Sequence, residues 1–423
     1  MTPVSVAVVG LGFGRNHVEA LAGLEGRAEL VAVVDPIAPA DNASLDGHPA
    51  QAAILAAPHY RSLTDLLATQ VPDIVAIATP IHTHLALGRE ALEAGANVLL
   101  EKPPTATLAE YRELVAASEA SGQAVQIGFQ ARGGGGVTAV RDAVESGLIG
   151  EVTGIGVVGT WLRSRAYFDR AAWAGRRTLN GVTVMDGVVT NPLAHSIDVA
   201  LTLAGAYTEH DVTTVAIDPW HANDIESDDT TSVIITTANG TTIAAGLTLC
   251  SARENQPVVT VRGTLGELRL QYKLDVVEHV AADGTSTSTQ YGTEGMLENL
   301  VDHVADGAEL IVPVERTGAF MRVLEAARTG PAPRLIDPAY ETRAGGGDQV
   351  HPVGDGGDGR GAPPGRDKPL ASGSKPLADG SKPLANYVTV PRIQGWNSSW
   401  PRSISSLTVS WPEATARIRS KIS

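Results

Sequence analysis

Three closely spaced glycines and one aspartate further along the chain are the residues whose types and spacing first suggest a chemical task. The glycines are Gly10, Gly12 and Gly14, and Asp35 follows the first of them by 25 positions. A glycine turn lets the backbone approach a pyrophosphate, and an aspartate at this separation can accept hydrogen bonds from a ribose diol. Because a carboxylate also repels a 2′-phosphate, the pattern predicts a dinucleotide site that favours NAD over NADP.

The elements around these residues follow the order that a dinucleotide site requires. Residues 4–9 are apolar and predict a buried parallel strand, residues 16–24 have a helical pattern, and residues 30–34 predict a second strand that ends at the aspartate. The start of the helix would direct free N–H groups at the phosphates, and Arg15 could add a contact there. Gly14 comes one residue earlier than the usual third glycine, so a glycine-rich turn that binds nothing remains an alternative.

A lysine stands directly after another predicted strand. Residues 97–100 form that strand, and Glu101, Lys102 and Pro103 follow it. Open α/β sheets bind their ligands beyond the carboxyl ends of their strands, which is where Lys102 would lie. An ammonium there can polarise a carbonyl group or hydrogen-bond a reacting hydroxyl, and Pro103 would stiffen the loop. By position alone, a solvated surface lysine explains Lys102 equally well.

Two patterns of secondary structure divide the chain. Up to about residue 130, apolar strands alternate with helices, which predicts a doubly wound parallel sheet in a first domain, residues 1–130. Further on, alternating polar and apolar segments predict a largely antiparallel sheet in a second domain, residues 131–335. The segments are 152–162, 212–217, 230–237, 241–249, 258–262 and 267–272, with helices expected within 188–203, 295–308 and 316–328.

The last part of the chain has the composition of a linker. Residues 345–365 are mostly Gly, Asp and Pro, and the tetrapeptide Lys-Pro-Leu-Ala begins at Lys368, Lys375 and Lys382. A proline in every unit of this repeat excludes a helix. Residues 344–423 are therefore predicted to be a low-complexity, poorly ordered tail, with a docking segment around its tryptophans as the alternative.

Composition and charge exclude several classes of partner. The formal net charge is −15, and nucleic-acid phosphates would repel such a chain, so no nucleic acid is expected. No apolar run is long enough to cross a membrane, and no signal peptide is recognisable. The single cysteine, Cys250, cannot form an intramolecular disulfide or a multi-cysteine zinc cluster. Together these features predict a cytoplasmic protein that binds no membrane and no metal.

Several motifs resemble those of the Gfo/Idh/MocA oxidoreductase family. They are Ala-Thr-Pro-Ile-His-Thr-His at 78–84, Glu-Ala-Leu-Glu-Ala-Gly at 90–95 and Glu-Lys-Pro at 101–103, and the resemblance covers residues 3–335. It implies an α/β fold, in which an N-terminal Rossmann domain with a doubly wound parallel sheet precedes a C-terminal α+β domain with a large, mostly antiparallel open sheet. It also implies NAD(P)-linked chemistry at a sugar or cyclitol hydroxyl, and a homodimer or homotetramer that pairs through the open face of that sheet.

The resemblance places the cofactor contacts on the loops that follow the first strands. NAD is expected to contact Gly10, Gly12, Phe13, Gly14, Arg15, Asp35, Thr79, Pro80, His84, Glu101 and Lys102. His82 and His84 are interpreted as cofactor-site or loop residues, because no other carboxylates or thiols stand at metal spacing. With the motif in place, Lys102 is interpreted as the group that orients and polarises the reacting oxygen.

A second stretch that resembles the family's chemistry includes His195 and Asn191. The family has an Asp, a His four positions later and another Asp three positions after the His; His195 and Asp198 match, but Asn191 stands where the first Asp is common. His195 would move the hydroxyl proton, because the pKa of histidine suits proton transfer near neutrality. Asn191 would share its helical face and either hydrogen-bond a substrate hydroxyl or hold Lys102. An amide cannot relay a proton, so His195 works alone, Asp186 supplies the carboxylate, or the chemistry is weaker or different.

A sugar site needs bidentate donors and an aromatic face, and the segment between the second sheet and its helix has both. Substrate contacts are expected from Arg132, Arg163, Tyr167, Trp173, Asp186 and Asp198, with Arg165, Arg170 and Arg176 in the same cluster. A solvated basic loop is the alternative interpretation of the arginines and aromatic residues.

The sequence therefore predicts an NAD(P)-dependent oxidoreductase that transfers a hydride between a carbohydrate-like hydroxyl or carbonyl group and the nicotinamide. Lys102, His195 and Asn191 are the expected catalytic residues. Two alternatives use the same cofactor differently. One is an NAD-binding regulatory protein without turnover, and the other is an NAD-assisted glycosidase that returns its hydride within each cycle.

Overall fold

The computed structural model describes residues 2–251 and 254–337. The predicted tail, residues 344–423, lies outside these described residues. Within them, no helix has both the length and the apolar character that a membrane crossing requires. The described residues form two large sheets, and each comes from a different stretch of sequence.

The first sheet has six parallel strands. These are β1 (Val4–Val9), β2 (Ala28–Val34), β3 (His59–Tyr60), β4 (Ile74–Ile77), β5 (Asn97–Leu100) and β6 (Val125–Ile127). Their spatial order is β3-β2-β1-β4-β5-β6, as in a doubly wound dinucleotide-binding fold. Parallel strands end at a common edge, so the residues that follow β1, β2, β4 and β5 lie side by side.

Five helices belong to this part of the chain. They are α1 (Leu11–Leu21), α2 (Gln51–Ala56), α3 (Leu63–Leu67), α4 (His84–Glu93) and α5 (Leu108–Ser121). The predicted helix start near residue 16 is wrong: α1 begins within the glycine turn, because Gly10 reverses the chain with a φ of 85°. Helix α5 is capped by Thr107, which forms a reciprocal capping box with Glu110.

The second sheet has nine strands and is mixed. Two short strands, β8 (Thr178–Leu179) and β9 (Val182–Thr183), form a separate hairpin. The nine strands of the sheet are β7 (Val152–Thr160), β10 (Val212–His221), β11 (Thr230–Thr237), β12 (Thr242–Thr248), β13 (Val258–Gly263), β14 (Gly266–Gln271), β15 (Val276–Ala281), β16 (Ser286–Gln290) and β17 (Arg334–Leu335). Their order is β16-β15-β14-β13-β7-β12-β11-β10-β17, and only the β7–β12 and β10–β17 pairs are parallel. The prediction of a large, mostly antiparallel sheet is confirmed.

Five more helices complete the described chain. They are α6 (Gly135–Glu145), α7 (Arg165–Phe168), α8 (Ala194–Leu203), α9 (Met296–Asp306) and α10 (Gly318–Thr329). Helix α8 packs on β7, β12 and β13, and is almost wholly buried. Helix α9 returns to the first sheet and contacts β1, β5 and β6, whereas α10 packs between α5 and β10. The two sheets are therefore joined by helices that cross from one to the other.

Candidate active site

The glycine turn after β1 has three different steric roles. A Cβ at Gly10 would lie 2.7 Å from the Thr79 side chain, and a Cβ at Gly14 would lie 2.7 Å from Val8, so both glycines permit close packing of α1 against the sheet. A Cβ at Gly12 would meet no atom within 4 Å. Gly14 therefore allows α1 to pack closely on the sheet, as the usual third glycine does, although it comes one residue early. Gly12 leaves the backbone open to a ligand.

The start of α1 and the end of β2 meet at Asp35. Its Oδ2 accepts a hydrogen bond from the Leu11 N–H at 2.8 Å, and its Oδ1 accepts one from the Ile37 N–H at 2.9 Å. The N-cap residue of α1 is Gly10, which has no side chain, so the helix start with its open Gly12 fits a pyrophosphate, and the carboxylate beside it fits a ribose. Phe13 is 38% exposed at the same place.

Arg15 does not lie over the glycine turn. Its guanidinium donates to the Ser44 carbonyl oxygen at 2.9 Å and so faces the loop that follows β2. The prediction that Arg15 binds the phosphates is not supported by this geometry, because the side chain extends along α1 toward that loop. Thr79 and Pro80, which follow β4, do lie beside the turn, since Thr79 is the nearest neighbour of Gly10.

His84 connects two loops. Its Nε2 lies 2.9 Å from the Thr79 carbonyl oxygen and its Nδ1 lies 3.0 Å from that of Pro103. The side chain is 1% exposed, and burial lowers its pKa. His84 therefore positions the loop after β4 against the Lys102–Pro103 loop, whose peptide bond is cis. Its contact with the cofactor stays a prediction.

Glu101 is also a connecting residue. It lies 3.1 Å from Nε2 of His17 on α1, and it accepts hydrogen bonds from the Lys102 N–H and from Gln130. Burial raises the pKa of Glu101, but contact with His17 and the charge of Lys102 outweigh burial and hold this pKa below its usual value. The carboxylate is 8% exposed and hydrogen-bonded to protein groups, and its contact with the cofactor stays a prediction. His17 was missed by sequence reasoning, and its position on α1 was the only available signal.

Lys102 is held in place by Asn191. Its Nζ donates to Asn191 Oδ1 at 2.6 Å and to the Asn191 carbonyl oxygen at 3.2 Å. The Asn191 amide in turn donates to Oδ1 of Asp186 at 2.6 Å. Oδ2 of Asp186 accepts from the Gly175 N–H at 2.7 Å and from Arg170 at 3.2 Å. Asp186 is only 5% exposed, so this buried carboxylate positions Asn191, and its contact with substrate stays a prediction.

The expected helical pairing of Asn191 with His195 is wrong. Helix α8 begins at Ala194, so Asn191 lies in the turn that precedes it. Backbone bonds from the Val188 N–H to Asp228 and from the Asn191 N–H to Gly187 fold this turn before the helix starts. The turn rather than a shared helical face brings Asn191 to Lys102.

His195 is a partly buried imidazole whose Nδ1 has no hydrogen-bond partner among the described residues. Its ring lies edge-on to Phe129, with centroids 5.7 Å apart, and 6.5 Å from the ring of Tyr272. Burial, followed by the positive charge of Lys102, lowers the pKa of His195 to about 3. The imidazole is therefore neutral at physiological pH, and in that form one of its two ring nitrogens can accept a proton.

Arg132 and Asp198 form a buried ion pair. Arg132 Nε donates to Asp198 Oδ2 at 2.7 Å, and a second guanidinium nitrogen contacts Oδ1. Arg132 is 7% exposed and Asp198 is completely buried. The guanidinium also donates to the Arg316 carbonyl oxygen. The pair joins α8 to the loop after β6, and its burial favours a structural role. The substrate contact of both residues stays a prediction.

The segment between β7 and the hairpin gathers cations and aromatic rings. The Arg170 guanidinium lies 3.7 Å from the centroid of Tyr167 and 4.7 Å from that of Trp173. Arg163 lies 4.6 Å from the centroid of Trp161 and forms an ion pair with Glu254 at 3.2 Å. Of the predicted substrate residues, Arg163, Tyr167 and Trp173 are thus brought into one cluster, and Arg170 connects it to Asp186.

The described residues contain no group of three or more His, Cys, Asp or Glu side chains arranged to hold a metal ion. Cys250, which is buried, lies beside Asn223 and Asp229. Burial and the negative charge of Asp229 raise its thiol pKa, so it is not a thiolate near neutral pH.

Comparisons with known proteins agree with this arrangement. Residues 4–129 match the model of an oxidoreductase family with an NAD-binding Rossmann fold, and residues 137–269 match the GFO/IDH/MocA C-terminal domain. D-apiose dehydrogenase of Paraburkholderia graminis is 31% identical over 293 residues, which are 67% of this chain and 71% of that protein. The chain belongs to the Gfo/Idh/MocA oxidoreductase family.

Other members of the Gfo/Idh/MocA family are similar over different lengths. Inositol 2-dehydrogenase 1 of Saccharopolyspora erythraea is 37% identical over 150 residues, which span 35% of this chain and 43% of that protein. The WlbA dehydrogenase of Bordetella pertussis, solved with NADH and UDP-GlcNAcA, superposes with a TM-score of 0.64 at 24% identity and covers 79% of this chain and 100% of its own. At this identity, the structural match supports the Gfo/Idh/MocA fold alone.

Proposed function

We propose that this oxidoreductase is an NAD-dependent dehydrogenase of a hydroxyl group on a sugar or cyclitol. The observation that carries the proposal is the pairing of a fixed ammonium, Lys102, with a neutral imidazole, His195, whose Nδ1 is unpartnered among residues 2–251 and 254–337. The substrate class is supported by the names of the two relatives, D-apiose dehydrogenase and inositol 2-dehydrogenase.

The chain's own residues have separate tasks in this reaction. A bound nicotinamide supplies the hydride acceptor. Lys102 donates a hydrogen bond to the reacting oxygen and stabilises the negative charge that develops there. His195 accepts the hydroxyl proton at a ring nitrogen, which requires the neutral form that its lowered pKa provides. In the reverse direction the same groups polarise a carbonyl group and return the proton.

Asp186 supports the lysine from one hydrogen bond further away. Asn191 accepts a hydrogen bond from Lys102 through its side-chain carbonyl oxygen and donates one to Asp186 through its side-chain amide. It therefore orients the ammonium and links it by hydrogen bonds to the carboxylate of Asp186. Of the alternatives left by the sequence, this arrangement favours the one in which Asp186 supplies the charge that the amide lacks. We therefore propose Lys102 and His195 as catalytic residues and Asn191 and Asp186 as positioning residues.

We propose NAD rather than NADP as the cofactor. The carboxylate of Asp35 is fixed by the Leu11 and Ile37 N–H groups at the end of β2. A negative charge in that place can accept two ribose hydroxyls but repels the 2′-phosphate of NADP. Gly10, Gly12, Phe13, Thr79 and Pro80 would complete the cofactor contacts.

We propose that residues 1–130 bind the cofactor, and that residues 131–335 complete the site and form a homodimer or homotetramer. Helices α6 and α8 cover one face of the nine-stranded sheet. The other face presents apolar side chains that are only half-buried, among them Val158, Ile234 and Val258. A second copy of this sheet would cover them, and Ile234→Lys should then shift the mass measured by light scattering to that of a monomer.

We propose that the protein works in the cytoplasm. The proposal is supported by the sequence, which contains one cysteine and therefore no intramolecular disulfide. A fluorescent fusion that localises to another compartment would contradict it.

The proposed reaction is tested by measuring cofactor binding and NADH formation. Purified full-length protein is titrated with NAD and NADP, and NADH formation is then followed across a panel of sugars and inositols. We expect NADH in a one-to-one ratio to an oxidised product, with turnover lost in Lys102→Ala and in His195→Ala. His210→Ala, which changes an exposed histidine, is the matched control.

Two other results would overturn the dehydrogenase proposal. NAD binding without turnover on any substrate would favour a regulatory role. Cleavage of a glycoside without net NADH would favour the NAD-assisted glycosidase.

A further inference from the structure

A cluster of cations and aromatic rings next to the proposed reaction site is larger than the reaction requires. Trp161, at the end of β7, has the Arg163 guanidinium 4.6 Å and the Lys273 ammonium 4.9 Å from its ring centroid. Tyr167 lies between Arg163 and Arg170, which are 5.5 Å and 3.7 Å from its centroid. Three cations thus surround two aromatic faces within one segment of the site.

This concentration of positive charge is unusual for the chain. Residues 161–177 contain five arginines and a single aspartate, whereas the whole chain has a formal net charge of −15. The acidic residues nearby already have partners: Glu254 pairs with Arg163, and Asp186 pairs with Arg170. Asp275, two residues beyond Lys273, accepts the Gly136 N–H.

Lys273 differs from Arg163 and Arg170 because it has no ion pair among residues 2–251 and 254–337. Its side chain is exposed, and its ammonium lies over the face of Trp161. A cation held against an aromatic face and left without a carboxylate keeps its full charge available for a ligand. A lysine that served only to solubilise the surface would not need to be fixed on a tryptophan.

The position of Lys273 ties it to the reacting group. It follows Tyr272, whose hydroxyl lies 2.9 Å from Ser196 Oγ, and Ser196 is the neighbour of His195 in α8. The Tyr272 and His195 rings are 6.5 Å apart. The charge of Lys273 also contributes to the lowered pKa of His195, after burial and Lys102. A molecule whose hydroxyl meets His195 would therefore extend toward Lys273 and Trp161.

We propose that Lys273 and Trp161 form a subsite for an anionic group, a carboxylate or a phosphate, on the carbohydrate substrate. This inference rests on the proposed function, because it assigns the subsite to the same substrate. Trp161 offers its face to the carbon skeleton, and Lys273 binds the anion. The substrate class is then a sugar acid or a sugar phosphate rather than a neutral sugar.

The test compares pairs of molecules that differ in one group, which is anionic in one molecule and neutral in the other. Full-length protein saturated with NADH is titrated by calorimetry with D-gluconate and D-glucitol, and with myo-inositol 1-phosphate and myo-inositol. At least one anion should bind more tightly than its neutral counterpart, and the preferred pair distinguishes a carboxylate from a phosphate. Lys273→Ala should weaken binding of that anion about tenfold, as expected for loss of a hydrogen bond to a charged group, and leave the neutral compound unchanged. Lys273→Arg should retain the preference.

The controls separate this proposal from the proposed reaction. Arg141→Ala removes an exposed cation on α6 and should change neither affinity. Equal binding of anions and neutral compounds, no binding of either anion, or a preference that survives Lys273→Ala would overturn the anion subsite. Anion binding that depends on Lys273, without NADH formation from any substrate, would support the subsite and overturn the dehydrogenase function alone.

Discussion

The substitution Asn191→Asp tests the chain of hydrogen bonds that fixes Lys102. It introduces the residue that is common at this position in the family. In this structure, however, the new carboxylate would place one oxygen 2.6 Å from Lys102 Nζ and the other 2.6 Å from Asp186 Oδ1, where the amide now donates. Two carboxylates at that separation cannot both ionise without strong repulsion.

The expected change in the free energy of unfolding follows from these two contacts. The attraction to Lys102 and the repulsion from Asp186 act over the same 2.6 Å, so they cancel to a first approximation. What remains is the lost hydrogen bond to a buried carboxylate, which contributes about 2 kcal/mol. We expect the free energy of unfolding to fall by that amount near neutral pH. In the folded variant, the two carboxylates at positions 186 and 191 share a proton whose pKa is raised. The free energy of unfolding is therefore retained at lower pH and falls as the pH rises through that pKa.

Urea titrations of Asn191→Asp, Asp186→Asn and the double variant form a double-mutant cycle for this contact. The double variant exchanges the amide and the carboxylate and restores a donor to an acceptor, so most of the lost stability should return. A coupling free energy of about 2 kcal/mol is expected. If Asn191→Asp is as stable as the wild type at neutral pH, and the cycle shows no coupling, the bond between Asn191 and Asp186 does not hold the loop.

Three further predictions concern other parts of the site. The pKa of His195 is about 3 in the folded protein against an ordinary 6.5, so the unfolded chain binds more protons between these values. The free energy of unfolding should therefore fall as the pH drops below 6.5, by up to about 1.4 kcal/mol per pH unit. His195→Gln should reduce that slope in urea titrations, and an unchanged slope would contradict the assignment of the lowered pKa to His195. Arg132→Met leaves Asp198 buried without its cation and should lower the free energy of unfolding by about 3–5 kcal/mol. Arg132→Met combined with Asp198→Leu should recover most of that stability and leave the KM for substrate unchanged. A raised KM in the stable double variant would support the substrate role of the pair. Asp35→Ala should raise the KM for NAD about tenfold and reduce the preference over NADP in initial-rate assays, whereas Asp46→Ala, the exposed control, should alter neither value.

Local patterns in the sequence were sufficient for the fold class and for most of the long strands. The apolar runs of β1, β2, β4 and β5 are buried along most of their length, and the glycines mark a turn that only a small residue can make. The alternation in segments 230–237 and 241–249 likewise predicted strands β11 and β12, which pair antiparallel. Strands β15 and β16 were missed; β16 is exposed throughout and lacks the alternation that marks a half-buried strand.

The sequence alone determined that Lys102 follows a strand and that His195 lies in a helix, since both follow from neighbouring residues. It did not determine which side chains meet. Lys102 reaches Asn191 across 89 positions, and Arg132 and Asp198 meet across 66, so a candidate substrate pair became an internal ion pair. Such contacts depend on how α8 and the loops after β5 and β6 pack together, and side-chain type carries no record of that packing. For this reason the chemistry of the site could be named from the sequence, whereas the residues that hold it in place were decided only by the tertiary structure.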